Sequence, residues 1–394
     1  MSAAETNPGL PCQERVVAVF QRSIMPYRRV FLADVARRLD SEGVRLVILS
    51  ADEPALAEDE WHPPQPRYVR LGSVYRRTIG TRDMREDLII PRGLFRALWR
   101  ERPDVIVTED ISALPANLCV PLIKLFRGTP YLIWTLGPSI LGKRRTSWRV
   151  LAAPVIAALR RPASGFIAYS HWARDELERA FHKPVFVAPN STVSLGSISK
   201  APHVPDPGNG RRLRVIFIGR LTAQKRVDRL IEAMAQLGDR VEASIVGEGA
   251  DRARLEALAA QLGVSARVRF FGDVRDDATK RRLIDSSDVG VMPGLGGLFI
   301  QEAQSRGCAV LAGPADGTEQ DLVRATNPGL YLEQGTVAEL AEKLARLHED
   351  RSYLSACRAA AQKVVVENYN LENMAEGWVA AVMSLLAQSE ARRT

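Results

Sequence analysis

Long apolar runs are missing from this chain, and so are the cysteine patterns of metal or redox proteins. The four cysteines, Cys12, Cys119, Cys308 and Cys357, have no zinc-like or thiol-exchange spacing and read as buried thiols of a reducing compartment. Residues 1–14 are polar and lack an apolar leader core. The longest apolar run near the middle, residues 150–159, contains Pro154 and is too short to cross a bilayer. No short-period repeat, low-complexity tract or convincing Asp-x-Asp metal motif appears. These absences predict a cytoplasmic protein whose membrane contact, if any, is peripheral.

What is present is the composition of a globular protein, with 46% hydrophobic and 25% charged residues. At 394 residues the chain is too long for one ordinary core and divides naturally into two domains. Charge is uneven: residues 1–200 hold 29 Lys+Arg against 20 Asp+Glu, or +9, while residues 201–394 hold 25 against 26, or −1. A basic first half points to an anionic partner there. The basic residues are scattered and form no recognised nucleic-acid module, so nucleic acid is not the expected partner.

Apolar runs alternate with helical patterns, the mark of parallel sheets with crossover helices. Strands are expected at 16–20, 45–49, 67–71, 104–108, 131–134, 165–169 and 185–188, with helices at 28–40, 92–100 and 148–159. Residues 192–212 carry Pro202, Pro205, Pro207, Gly208 and Gly210 and read as a linker. Strands then restart at 213–218, 241–246, 268–271, 289–292 and 309–311. The pattern predicts an α/β fold of two Rossmann-like, doubly wound domains, 1–191 and 213–368, followed by a helical tail, 369–394. Ligands of such sheets sit at the carboxyl ends of the strands, here in the cleft between domains.

Two strand-to-helix junctions carry the chemistry. The stretch from Gly219 to Lys225 offers two cations, Arg220 and Lys225, beside a strand end. The stretch from Gly294 to Glu302 offers a glycine-rich helix start and a carboxylate one turn on. Unpaired amides at a helix start favour phosphate, as do fixed cations. Together they suit a nucleoside diphosphate with something attached.

Val215-Ile-Phe-Ile-Gly-Arg-Leu-Thr-Ala-Gln-Lys225, Ile245-Val-Gly-Glu-Gly249, Val268-Arg-Phe-Phe-Gly-Asp-Val274 and Ser287-Asp-Val-Gly-Val-Met-Pro293 resemble, in order and spacing over 213–332, the donor domain of retaining glycosyltransferases of family 4. The resemblance implies the GT-B fold and a nucleotide-sugar as co-substrate, with no cofactor and no metal. It implies that Gly219, Arg220 and Lys225 hold the donor pyrophosphate. Gly294, Gly296, Gly297 and Leu298 would line its phosphate and sugar, and Glu302 would take the ribose hydroxyls. Asp273, Val274 and Arg275 would grip the base. Arg220, Lys225 and Glu302 are the residues expected to carry the reaction.

Two positions depart from the family pattern. Gly294 stands where relatives have the first glutamate of a Glu-x7-Glu pair, and Leu136 stands near a histidine of many relatives. In the first domain, Arg22, Tyr27 and Arg28 follow the first strand in a loop that relatives hold near the acceptor. The resemblance implies that they meet an anionic acceptor or the donor phosphate. Glu109 and Asp110 end another strand at the cleft edge, where they would bind acceptor hydroxyls. Lys143-Arg-Arg145, Trp148 and Arg160-Arg161 flank the apolar run, so residues 143–161 read either as a helix on an anionic membrane surface or as a core helix with solvated ends. The expected acceptor is lipid-linked or a saccharide. The alternative is a non-catalytic relative that binds a nucleotide-sugar, or serves as a partner subunit, without transferring it.

Overall fold

The computed structural model describes residues 14–22, 24–51, 66–79, 86–110, 114–137, 147–198, 211–315 and 317–391; for residues 26–27, 73–79, 86–91, 114–117 and 147–153 it describes the backbone. The first half supplies strands β1 Arg15–Gln21, β2 Val44–Ser50, β3 Arg67–Arg70, β4 Gly72–Ile79, β5 Glu86–Arg92, β6 Val105–Glu109, β7 Tyr131–Thr135, β8 Gly165–Ala168 and β9 Val185–Val187. Its helices are α1 Pro26–Ser41, α2 Leu94–Glu101, α3 Leu114–Arg127, α4 Ser147–Arg160 and α5 His171–Phe181. Seven strands form a sheet in the order β3-β2-β1-β6-β7-β8-β9, with every pairing parallel. β4 and β5 pair antiparallel as a separate hairpin.

The second half supplies β10 Leu213–Ile218, β11 Val241–Val246, β12 Val268–Gly272, β13 Val289–Met292 and β14 Ala309–Ala312. They form a parallel sheet in the order β12-β11-β10-β13-β14. Around it run α6 Val227–Leu237, α7 Arg252–Gln261, α8 Asp277–Asp285, α9 Phe299–Ser305, α10 Thr318–Thr326, α11 Val337–Glu349, α12 Arg351–Glu367 and α13 Leu371–Ala391.

The strands are near-continuous apolar runs because helices cover both faces. Alternation along β1 sends Val17 and Val19 into one hydrophobic layer and Val16, Ala18 and Phe20 into the other. Pro26 opens α1, where a missing N–H costs nothing. The helix expected at 92–100 starts later: Arg92 closes β5, and Gly93, at φ 82°, turns the chain before α2 begins.

α13 returns to the first domain. Its Met374, Trp378, Val382 and Leu385 pack with Phe31, Leu32 and Val35 of α1. Trp378 is fully buried, its ring 6.5 Å from those of Phe31 and Trp134. Gly377 lets this helix close on β9, since a Cβ there would stand 2.1 Å from the Val187 carbonyl oxygen. The tail is thus the outer layer of the first domain, joined to it by burial of large side chains. Trp378→Ala is expected to cost about 3–5 kcal/mol, read as a lower urea midpoint at unchanged slope.

Each sheet has one switch point. The chain runs outward from β1 and returns at β6, and runs outward from β10 and returns at β13. The crevices beyond β1/β6 and β10/β13 are where such sheets receive ligands.

Candidate functional site

Both strand-to-helix junctions singled out in the sequence lie at the second crevice. Gly219 to Thr222 leave the end of β10, and Ala223–Lys225 form one 3₁₀ turn before α6. The loop is pinned by backbone. The Gly219 and Leu221 amides donate to the Val246 and Glu248 carbonyls at 3.0 and 2.9 Å, and the Asp251 amide donates to the Leu221 carbonyl at 3.1 Å. Arg220 therefore emerges from a fixed backbone, exposed and without an ion-pair partner among the described residues.

Lys225 meets the glycine loop after β13. Its ammonium donates to the carbonyls of Leu295 at 2.7 Å and Gly296 at 2.6 Å, while the Leu295 amide donates to the Gln224 carbonyl at 2.9 Å. Gly294 owes its identity to this approach. A Cβ there would lie 2.2 Å from the Gln224 carbonyl oxygen and 2.7 Å from the Lys225 carbonyl carbon, so no side chain fits at this position in the packing seen. From the other side the buried Glu319 of α10 presses on Gly296, where a Cβ would stand 1.8 Å from its carboxylate oxygen. Gly297 is more open, with the Lys225 ammonium 3.6 Å from the position of a Cβ.

Glu302, in the first turn of α9, is half-buried and paired with Lys280 of α8 at 3.0 Å; Lys280 also reaches Asp277 at 3.1 Å. Burial disfavours the Lys280 charge, but the two carboxylates outweigh it and hold the ammonium above its ordinary range. Asp273, Val274 and Arg275 follow β12, with Arg275 and Asp273 paired at 2.8 Å on an exposed edge and Val274 packed on the core.

The first crevice holds most of the acceptor-side candidates. Arg22, just past β1, donates through its amide and Nε to Glu109 at the end of β6, at 3.3 and 3.2 Å. Burial holds the Glu109 carboxyl above its ordinary range in spite of Arg22. Arg28 is buried, its guanidinium 4.4 Å from the Trp134 ring centre and bonded to the Tyr169 hydroxyl at 2.8 Å. The Tyr27 side chain lies outside the described residues. Asp110 is held by Arg160 and by the Thr135 hydroxyl. That contact holds Arg160 buried rather than on the surface, and Lys143-Arg-Arg145 lie outside the described residues.

Sequence reasoning did not single out three residues that shape the site: Lys280, Glu319 and Asp321. Asp321 of α10 crosses to the first domain, where its carboxylate accepts from the His171 and Trp172 amides at 2.5 and 3.4 Å and caps α5. His171 is accordingly a helix-start residue. Trp172 rests on Gly317, where a Cβ would come within 2.3 Å of the indole. The spacing of Glu319 and Asp321 around an otherwise amphipathic helix gave no sign of these roles.

Two family models match the chain: Glycosyltransferase Family 4 over residues 29–192 and Glycosyl transferases group 1 over residues 205–364. The chain belongs to the two-domain glycosyltransferases. Among curated proteins it is 32% identical over 167 residues to an uncharacterized glycosyltransferase of Methanocaldococcus jannaschii, covering 41% of this chain and 42% of that one. It is 30% identical over 166 residues to 2-deoxystreptamine glucosyltransferase of Streptomyces kanamyceticus, 40% of this chain and 42% of that one. A third relative is the lipopolysaccharide core biosynthesis glycosyltransferase LpsE of Rhizobium meliloti, 29% identical over 174 residues, 43% and 49%. The chain thus spans less than half the length of the curated relatives it matches. Among solved structures, HepE of Anabaena in complex with UDP superposes with TM-score 0.68 at 19% identity, covering 94% of this chain and all of that one. The apo galactosyltransferase WaaB superposes with TM-score 0.67 at 14% identity, covering 94% and 99%. At these identities the likeness establishes the fold, which is GT-B.

Two outcomes follow from the geometry. Gly294→Ala is expected to cost about 1–3 kcal/mol, because backbone must move to admit the methyl group; a thermal melt checks it. Asp321 gives a pH signature. Burial raises its carboxyl above the ordinary range despite the two amides, so its contribution is full below the unfolded value and is lost as pH rises through the higher folded one. Asp321→Asn stays neutral and can still accept both amides, so its melting temperature should fall less than that of the parent across that window.

Proposed function

We propose that this protein transfers a sugar from a nucleotide-sugar donor to a hydroxyl acceptor with retention of configuration and without a metal. The observation that supports this best is the Lys225 ammonium held on the glycine loop at the β10/β13 crevice, with Arg220 exposed on the loop that leaves β10. As the glycosidic bond breaks, the departing nucleoside diphosphate gains negative charge, and cations held in place beforehand stabilise that charge more than the ground state. Lys225 would exchange the Leu295 and Gly296 carbonyls for phosphate oxygens. Arg220, Lys225 and Glu302 would then carry the reaction, with Gly219, Asp273, Val274, Arg275, Gly294, Gly296, Gly297 and Leu298 around the donor. The nucleotide-sugar serves as co-substrate, and no cofactor is called for.

Arg22, Tyr27, Arg28, Glu109 and Asp110 would face the acceptor side. A lipid-linked or saccharide acceptor is favoured by the basic first half and by the lipopolysaccharide role that one relative's name carries. We place the reaction at the cytoplasmic face of an anionic membrane, with residues 143–161 close to it. Among the described residues no helix is long and apolar enough to cross a membrane.

A second reading, donor binding without transfer, is favoured by Gly294 and Leu136, which replace two side chains that relatives place beside the sugar. Thermal melts with UDP, GDP, ADP, TDP and CMP test the donor site. Saturation to 100 times Kd should add roughly 2.7 kcal/mol of stability, and Arg220→Ala/Lys225→Ala should abolish the gain. No shift with any nucleotide would sink the donor site and favour a non-catalytic partner subunit. A shift without turnover of the matching nucleotide-sugar, across a panel of saccharide and lipid-linked acceptors, would favour the second.

A further inference from the structure

Glu302 is the one side chain that α9 does not bury. The other six of its seven residues are buried, so the core fixes the helix, while the carboxylate keeps its rotamer freedom unless something holds it. Lys280 holds it. The ammonium lies 3.0 Å from Glu302 Oε1 and 3.1 Å from Asp277 Oδ1. The side chains of Lys280 and Glu302 are only 24% and 26% exposed, so the pair escapes much of the screening that weakens ion pairs on an open surface.

The lysine is itself set in place. α8 starts at a cap, where the Asp276 carboxylate accepts from the Ala278 and Thr279 amides at 3.3 and 2.8 Å. That cap fixes the first turn, which carries Asp277 and Lys280. The pair is not needed to join the two helices. Arg306, just past α9, already bonds to both carboxylate oxygens of Asp285 at the end of α8. α8 also continues closely from Asp273, Val274 and Arg275, the residues that would grip the base. One short segment therefore runs from the base edge of the crevice to the lysine that orients Glu302.

We infer that Lys280 is a positioning residue for donor recognition, which by fixing Glu302 makes this protein choose ribonucleoside diphosphate donors over their 2′-deoxy counterparts. This role rests on the transferase reading, in which Glu302 faces the ribose. An oriented carboxylate meets the ribose hydroxyls without first losing side-chain entropy, whereas a free one forfeits part of each hydrogen bond in ordering itself. Lys280 does not touch the nucleotide in this arrangement. It acts through Glu302, occupying Oε1 and leaving Oε2 to accept from a hydroxyl.

The test is titration calorimetry of the full chain with matched pairs: UDP and 2′-deoxy-UDP, GDP and 2′-deoxy-GDP, ADP and 2′-deoxy-ADP. For whichever base binds, the parent should prefer the ribo form by at least about tenfold, as a hydrogen bond to a charged group allows. Lys280→Met should reduce that preference by about fivefold, the penalty for ordering one long side chain, and Lys280→Arg should keep it. Because Arg306 still joins α8 to α9, Lys280→Met stays folded. Loss of positive charge alone weakens both members of a pair equally, so the ratio between them reads positioning and not electrostatics or folding. A parent that binds ribo and deoxy forms alike, or binds TDP in preference to the ribonucleotides, would overturn the proposal and leave the donor site standing. So would a full preference retained in Lys280→Met. No binding of any nucleotide by the parent would instead overturn the donor site, and the role of Lys280 with it.

Discussion

Close approach of backbone to backbone beyond the second sheet fixes the loops that line its crevice. A Cβ on Gly247 would stand 2.0 Å from the Gly219 carbonyl oxygen, one on Gly249 2.1 Å from that of Leu221, and one on Gly294 2.2 Å from that of Gln224. Three loops from different strands therefore lie in direct contact, with amide-to-carbonyl bonds between them. Glycine in such positions carries an entropic cost in the unfolded chain of roughly 0.5–1 kcal/mol each relative to alanine. What that cost supports is a rigid floor from which Arg220 emerges on a fixed backbone and on which Lys225 is held by the Leu295 and Gly296 carbonyls.

The same packing links the second crevice to the other domain. The first turn of α10 faces two ways: Glu319 against Gly296, and Asp321 against the start of α5. The Gln301 side-chain amide of α9 donates to the Asn190 carbonyl at the end of the first domain, and α13 carries the chain back onto α1. Because α9 and α10 both border the glycine loop, a shift of that loop and a change in how the domains meet share the same few contacts. Interfaces of this kind are expected to switch between discrete packings rather than deform smoothly.

Local signals made much of this legible in sequence. Parallel strands read clearly, since each is a short apolar run between glycine-rich turns, and the two junctions bearing Arg220, Lys225 and Glu302 fell where the fold puts ligands. Contacts between segments distant in sequence did not read. Nothing around Gly294 announces that Gln224 lies against it. Trp378 sits in an alanine-rich helix that looks like a free tail until Phe31 and Trp134 are seen beside it. Leu118, Leu122 and Leu125 of α3 stand exposed yet resemble core residues in sequence, because periodicity reports that a face is apolar and says nothing of what covers it.

Glu302 shows how charge is balanced around such a floor. A lone carboxylate near a pyrophosphate would oppose its binding: like charges about 6 Å apart at an effective dielectric of about 20 repel by about 3 kcal/mol. Lys280 offsets this. Its ammonium, held in its charged form by Glu302 and Asp277, neutralises the carboxylate and occupies one of its oxygens, which leaves the other to accept from a hydroxyl. On the proposed reading, a carboxylate so paired would select a sugar diol by hydrogen bonding while adding little to the negative field that Arg220 and Lys225 would have to overcome. The neutral ion pair on α8 and α9 would, on that reading, leave the cations after β10 to act on the phosphates.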